Sequence, residues 1–242
     1  MVDEYGMNFQ FSVRRIFTGS DEVWVEAELL LHCRPGVLKG AVIMNVWDER
    51  YAGEAYHFGT EPNAFLRTQE RLLKPGMNCL AVADGEGRNG VWLAEQGLTV
   101  RSVDSSTVAL KKAQALARQR GVAVAFELAD LMHWDWGVAR YDVVVGIFIQ
   151  FAAPAVREQM FTRIRRSLKP GGLLLLQGYT PRQLEFKTGG PALVENLYTE
   201  AMLRAAFADM DILHLREHDD RIEEGAGHSG MSALIDLVAR KP

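Results

Sequence analysis

Solid apolar runs alternate with stretches in which apolar residues recur every three or four positions, and this rhythm holds from about residue 61 to residue 177. Asn78–Ala83, Leu98–Val103, Val122–Glu127, Asp142–Phe148 and Leu173–Gln177 read as strands. The fourth and fifth are almost wholly apolar, as expected of strands covered on both faces. Pro62–Leu73, Asn89–Gln96, the segment from Ser106 to Arg120 and Pro154–Leu168 read as helices. In the last of these, Val156, Met160, Ile164 and Leu168 share one face. Pro62 opens its helix, Ser106 caps the next long one and Gly121 stops it. Repeated strand–helix–strand units with right-handed crossovers predict a parallel, doubly wound sheet.

The tail breaks the rhythm. After a helix at Thr199–Ala208, Asp211–Glu217 and Met231–Ala239 read as two strands joined only by a Gly-rich linker, Glu224–Gly230, expected to be a flexible loop. Strands without a crossover helix between them must pair antiparallel. The N-terminal residues 1–43 also stand apart. Phe9, Phe11 and Val13 alternate like a strand, and Val23–Leu31 is apolar with interspersed glutamates. Two readings fit: a small surface hairpin, or an extension upstream of a natural start at Met44, which is the preferred one. The organisation expected is therefore an extension over 1–43 and one α/β domain over 44–242.

The 242 residues are 48% hydrophobic, enough for a sizeable core, and the net charge of −4 is spread along the chain. That balance argues against a protein whose main task is gripping nucleic acid. The two cysteines, Cys33 and Cys79, are isolated and suit a reduced cytoplasm, with Cys79 read as buried filler. No run is long enough for a membrane helix, and no signal peptide is recognised. A soluble cytoplasmic protein is expected.

The first strand runs into Ala83-Asp84-Gly85-Glu86-Gly87-Arg88-Asn89-Gly90. The glycines at 85, 87 and 90 match the dinucleotide fingerprint, and the next strand ends in Asp104, placed to accept ribose hydroxyls. The acids decide which ligand this loop suits. A pyrophosphate above the loop would be repelled by Asp84 and Glu86, whereas S-adenosylmethionine (SAM) carries a sulfonium and an ammonium group and no phosphate. SAM is therefore preferred to NAD.

Five segments, in order, resemble the motifs of class I SAM-dependent methyltransferases: Val82–Gly87, Val103-Asp104, Ala129-Asp130-Leu131, Tyr141–Phe148 and Leu168–Gly172. The resemblance implies a Rossmann-like, seven-stranded, mostly parallel sheet with helices on both faces and an antiparallel last strand. It also implies cofactor contacts from Asp84, Gly85, Glu86, Gly87, Arg88, Asp104, Ser105, Asp130, Leu131 and Ile147, with Asp130 at the adenine amine. Trp47-Asp48-x-Arg50-Tyr51, Phe58-Gly59-x-x-Pro62-Asn63-x-Phe65-Leu66 and Gly87-Arg88-Asn89 resemble, more narrowly, the tellurite-resistance-type methyltransferases of small nucleophiles. In that group the N-terminal segment folds over the cofactor. Glu86 and Gly90 depart from its usual residues.

Methyl transfer asks an enzyme mainly to position a nucleophile and exclude water. Tyr51 and Trp47 are candidates to cover the methyl group, their ring faces favouring positive charge, and His228 is a candidate base. Tyr56, Gln150, Tyr179 and Arg182 are candidates for acceptor binding, since loops at the carboxyl ends of strands build substrate sites. His214 and His218, on a strand and beyond it, do not converge on a metal, and none is expected. No Asn/Asp-Pro-Pro-aromatic tetrad follows the fourth strand, which argues against methylation of a nucleic acid base. The expected reaction is methyl transfer to a small-molecule nucleophile such as a thiol or chalcogen oxyanion. Protein-lysine methylation is the alternative. An NAD-dependent oxidoreductase or a non-catalytic SAM-binding regulator ranks lower.

Overall fold

The computed structural model describes the backbone of residues 9–19 and 22–31, and the whole of residues 46–242. Strands β1 (Phe9–Gly19) and β2 (Glu22–Leu31) pair antiparallel, with a bulge between Val13 and Arg15. They fall in a unit, Met1–Ile43, separate from the unit Met44–Pro242. Cys33 and Met44 lie outside the described residues.

The larger unit holds one seven-stranded sheet. Its strands are β3 (Asn78–Val82), β4 (Thr99–Asp104), β5 (Ala125–Leu128), β6 (Tyr141–Ile147), β7 (Leu168–Tyr179), β8 (Asp211–Glu224) and β9 (His228–Arg240). Their spatial order is β5-β4-β3-β6-β7-β9-β8, with β3 to β7 parallel and β9 antiparallel to both of its neighbours. The last strand of the chain is thus the antiparallel one.

The sheet is covered on both faces because the middle of each central strand is a solid apolar run. Leu80, Val144, Leu174 and Leu176 meet Met160, Phe161 and Ile164 of helix α5 (Pro154–Ser167) on one side. Cys79, Ala81, Val143 and Val145 point the other way, toward Trp92 and Leu93 of helix α3 (Arg88–Glu95). Side chains alternate along a strand, so a solid apolar run supplies both interfaces at once. The long helix α4 (Thr107–Arg120) starts where Ser106 Oγ accepts from Ala109 N and stops at Gly121, φ +68°.

Three expectations are corrected. The helix expected over Pro62–Leu73 is broken into α2 (Ala64–Thr68) and a 3₁₀ turn at Glu70–Leu72, because Asn63 caps the later start by accepting from Leu66 N. The third strand is shorter and later than expected, and it lies at the sheet edge. The Gly-rich linker is not a flexible loop. The β8–β9 ladder continues to the pair Glu224–His228, leaving residues 225–227 as a tight turn with Gly225 at φ +73°.

Candidate active site

The carboxyl ends of β3, β4 and β6 converge on the glycine loop between β3 and α3. Its three glycines answer three different constraints. A Cβ on Gly87, at φ +85°, would stand 2.6 Å from Ala113 Cβ on α4, so this glycine lets two helices pack. A Cβ on Gly90 would stand 2.4 Å from Asp84 Oδ2. A Cβ on Gly85 would stand 2.7 Å from Tyr51 Oη, which crosses above the loop.

Acids dominate this spot. Asp84 is buried and accepts from Gly90 N at 3.0 Å and Ser102 Oγ at 2.9 Å. Asp104 is buried too and accepts from Gly85 N and Ser106 N, both at 2.8 Å. Among the described residues neither carboxylate has a Lys or Arg within ion-pair distance. Burial therefore pushes Asp84 up to about 7 and raises Asp104 as well, despite their hydrogen bonds.

A strap, residues 46–63, lies across these strand ends. It opens with helix α1 (Val46–Arg50), in which Asp48 Oδ1 accepts from Ser106 Oγ at 2.6 Å and from Val108 N at 3.2 Å at the start of α4. Glu86 holds the middle: its carboxylate accepts from His57 N at 2.7 Å and pairs with Lys112 Nζ at 2.8 Å. Glu86 thus grips the strap. Tyr56 Oη donates to the Lys112 carbonyl at 3.1 Å, which engages it in the strap contact. Tyr51 is buried, and Trp47 stacks behind it with ring centroids 6.1 Å apart. Burial, with Asp104, Glu86 and Asp84 near, raises the Tyr51 phenol far above its usual range. It remains a hydroxyl donor at any working pH.

The far end of the strap joins a buried polar network that the sequence does not announce. Asn63 Nδ2 donates to Gln177 Oε1 at 2.7 Å and to Glu224 Oε1 at 2.9 Å. Glu224 Oε2 pairs with Arg88 Nη2 at 2.5 Å, and Gln177 Nε2 donates to Asp236 Oδ1 at 2.6 Å. Arg88 therefore ties α3 to the hairpin. Although desolvation opposes it, hydrogen bonding and the Arg88 guanidinium hold Glu224 down at about 2. Beside this network an aromatic cluster forms. Phe148, at φ +56°, stacks on Tyr179 with centroids 4.6 Å apart, and the His228 ring lies 4.4 Å from both Phe148 and Phe58. His228 is 8% exposed, a buried strand residue. Strand periodicity extended through the linker from Met231 would have found it. Asn63, Phe148 and Glu224 are functional candidates that local sequence reasoning missed. Phe148, one residue past β6, and Asn63, within the segment that resembles the tellurite-resistance-type proteins, carried a signal.

Two expected acceptor contacts are otherwise engaged. Gln150 Nε2 donates to the Tyr179 and Asn196 carbonyls while Oε1 accepts from Tyr179 N, so it braces β7. Arg182 lies exposed and pairs with Asp219 at 2.8 Å. Ile147 ends β6, and Ser105 is exposed just after Asp104. Asp130 is exposed and bonded to Met132 N and to His133, while Leu131 is buried beside it. His218 pairs with Asp236 at 2.9 Å. No group of metal-ligating side chains occurs among the described residues.

The donor set fits a cationic nucleoside. Asp104 accepts from the backbone at Gly85, Ser105 and Ser106, three bonds for about four lone-pair sites, which leaves it capacity to accept from a ribose hydroxyl. Uncompensated buried carboxylates favour a positive ligand over a diphosphate.

A family model described as a methyltransferase domain matches residues 79–172, from β3 into β7. The carboxy-S-adenosyl-L-methionine synthase of Nautilia profundicola is 27% identical over 117 residues, 46% of this chain and 45% of that protein. An uncharacterized methyltransferase of Synechocystis sp. is 30% identical over 112 residues, 46% of this chain and 51% of that one. The chain thus spans about half the length of the curated relatives it matches. Among solved structures, the protein described under conversion of a disulfide bond into a thioacetal group during echinomycin biosynthesis superposes with a TM-score of 0.65 at 20% identity, over 80% of this chain and 89% of its own. TehB from Haemophilus influenzae does so with a TM-score of 0.61 at 17% identity, over 81% and 66%. These structural likenesses bear on fold alone. Residues 79–172 thus match a methyltransferase domain, and they form the part of the sheet, β3 into β7, that carries the glycine loop.

Proposed function

We propose that the chain transfers the methyl group of SAM to a small-molecule nucleophile. The observation that carries this reading is the pair of buried carboxylates, Asp84 and Asp104, set around a glycine loop with no Lys or Arg of the described residues within ion-pair distance of either. SAM bound there supplies the methyl group as an electrophile on a sulfonium. Asp104 would accept the ribose hydroxyls, Asp84 would balance the ligand's positive charge, and Asp130 and Leu131 would border the adenine. Tyr51 and its neighbours on the strap would exclude water and close the site over a small acceptor. That closure favours a small acceptor over the protein lysine of the alternative reading. No helix among the described residues is long and apolar enough to cross a membrane, and a cytoplasmic setting suits the free, buried thiol of Cys79.

The test is calorimetric titration with SAM and with NAD, followed by a methyl-transfer screen that reads release of S-adenosylhomocysteine across thiols, phenols, amines, carboxylates, selenite and tellurite. SAM should bind and NAD should not, and Asp104→Ala should abolish SAM binding. Binding of NAD alone, or an Asp104→Ala protein that binds SAM normally, overturns the reading.

A further inference from the structure

The aromatic cluster at the end of β6 holds two buried polar atoms without a close hydrogen bond among the described residues. Tyr179 Oη and His228 Nδ1 lack a partner within hydrogen-bond distance, Glu224 Oε2 standing 3.9 Å from Nδ1, although Tyr179 is 1% and His228 8% exposed. Buried polar atoms are rarely left unpaired, and a pair of them in one cluster points to a ligand. The surroundings specify that ligand. Phe58, Phe148 and Tyr179 present ring faces and edges around His228, which suits a flat apolar body. The charges nearby are Asp84, Glu86, Asp104 and Glu224 against Arg88 and Lys112, each of which already pairs with a glutamate of that set. Such a field disfavours an anionic acceptor.

Resting on the methyl-transfer reading, we propose that this cluster is the acceptor site, that it takes a small neutral aromatic hydroxyl or thiol, and that His228 removes its proton. Tyr179 orients the acceptor through its hydroxyl. As the acceptor oxygen or sulfur attacks the methyl carbon, its O–H or S–H bond breaks and the proton passes to the His228 imidazole. The new carbon–oxygen or carbon–sulfur bond forms while the methyl–sulfonium bond breaks, and the electron pair stays with the sulfur of S-adenosylhomocysteine. The imidazolium then returns its proton to water. The groups facing His228 suit this task. Burial keeps its pKa below the usual value, with Arg88 and His57 adding to the effect and Glu224 opposing it, so the ring is neutral and ready to accept. Glu224 Oε2, 3.9 Å from Nδ1, is placed to stabilise the imidazolium once formed.

The experiment titrates protein loaded with S-adenosylhomocysteine with phenol, benzenethiol and selenite by calorimetry, then measures rate against pH with the better ring compound. Phenol or benzenethiol should bind and selenite should not. Tyr179→Phe should weaken that binding about tenfold while leaving the melting temperature and S-adenosylhomocysteine affinity unchanged. His228→Gln should lower kcat about a hundredfold or more and remove the acid limb of the pH profile, which His57→Gln should retain. Binding of selenite in preference to both ring compounds, binding of neither, or unchanged acceptor affinity in Tyr179→Phe overturns the proposal, as does an acid limb that survives in His228→Gln. If the wild-type protein fails to bind SAM at all, it is the methyl-transfer reading that falls.

Discussion

Replacing Asp84 by asparagine tests the charge argument directly. In the folded chain this carboxyl titrates at about 7 against an ordinary value of 3.8. A folded pKa raised above the unfolded one means stability is lost as pH rises from about 4 to about 7, and the full cost is carried above that. The gap corresponds to about 4 kcal/mol as an upper bound. Asparagine removes that cost and keeps most of the geometry. Gly90 N lies 3.3 Å from Oδ1, so the amide oxygen can still accept there, while Ser102 Oγ, 2.9 Å from Oδ2, can reverse its role and accept from the amide nitrogen. Weaker hydrogen bonding should return about 1 kcal/mol. The net expectation is that Asp84→Asn is more stable than the wild type by roughly 1–3 kcal/mol at pH 8, with the advantage gone by pH 4. Urea titrations without ligand at the two pH values read this as a midpoint shift of roughly 0.5–1 M at pH 8. Calorimetry at pH 8 should show SAM affinity reduced about tenfold or more, because the ligand loses a partner of opposite charge. A variant less stable than wild type at pH 8, or one that binds SAM equally well, refutes the reasoning.

Glu224→Gln should destabilise the protein by about 3–5 kcal/mol in urea melts, because it leaves the buried Arg88 guanidinium without its counter-charge. In the wild type, Glu224 contributes stability that is complete above its ordinary 4.5 and fades as pH falls toward about 2, so the acid limb of a stability profile should flatten in Glu224→Gln. Gly87→Ala should cost about 2–4 kcal/mol in the same melts, since its Cβ would stand 2.6 Å from Ala113 Cβ at a left-handed φ of +85°. Ser106→Ala should lower stability by about 1 kcal/mol through loss of the α4 cap, with Asp48 losing a partner in the same step.

What was legible in the sequence was whatever depends on neighbours along the chain. Solid apolar runs at β6 and β7 announced strands buried on both faces, because alternate side chains must meet two layers. Two closing strands without a helix between them required an antiparallel pair. The glycines at 85, 87 and 90, with Asp84 before them and Asp104 a strand later, marked the loop and its preference for positive charge. Roles set by residues far apart in the chain were not legible. Glu86 beside the glycines looked like a ligand contact, yet its partners are the strap backbone at His57 and the Lys112 ammonium. Arg88 looked the same and is joined to Glu224, 136 positions away. His228 looked like a loop residue until the β8–β9 ladder carried it into the cluster of Phe58, Phe148 and Tyr179. Periodicity and local motifs report which faces are buried, because burial follows from spacing along one element. Whether a buried charge meets a ligand or a partner of its own chain depends on which distant element closes over it, and only the tertiary structure decides that.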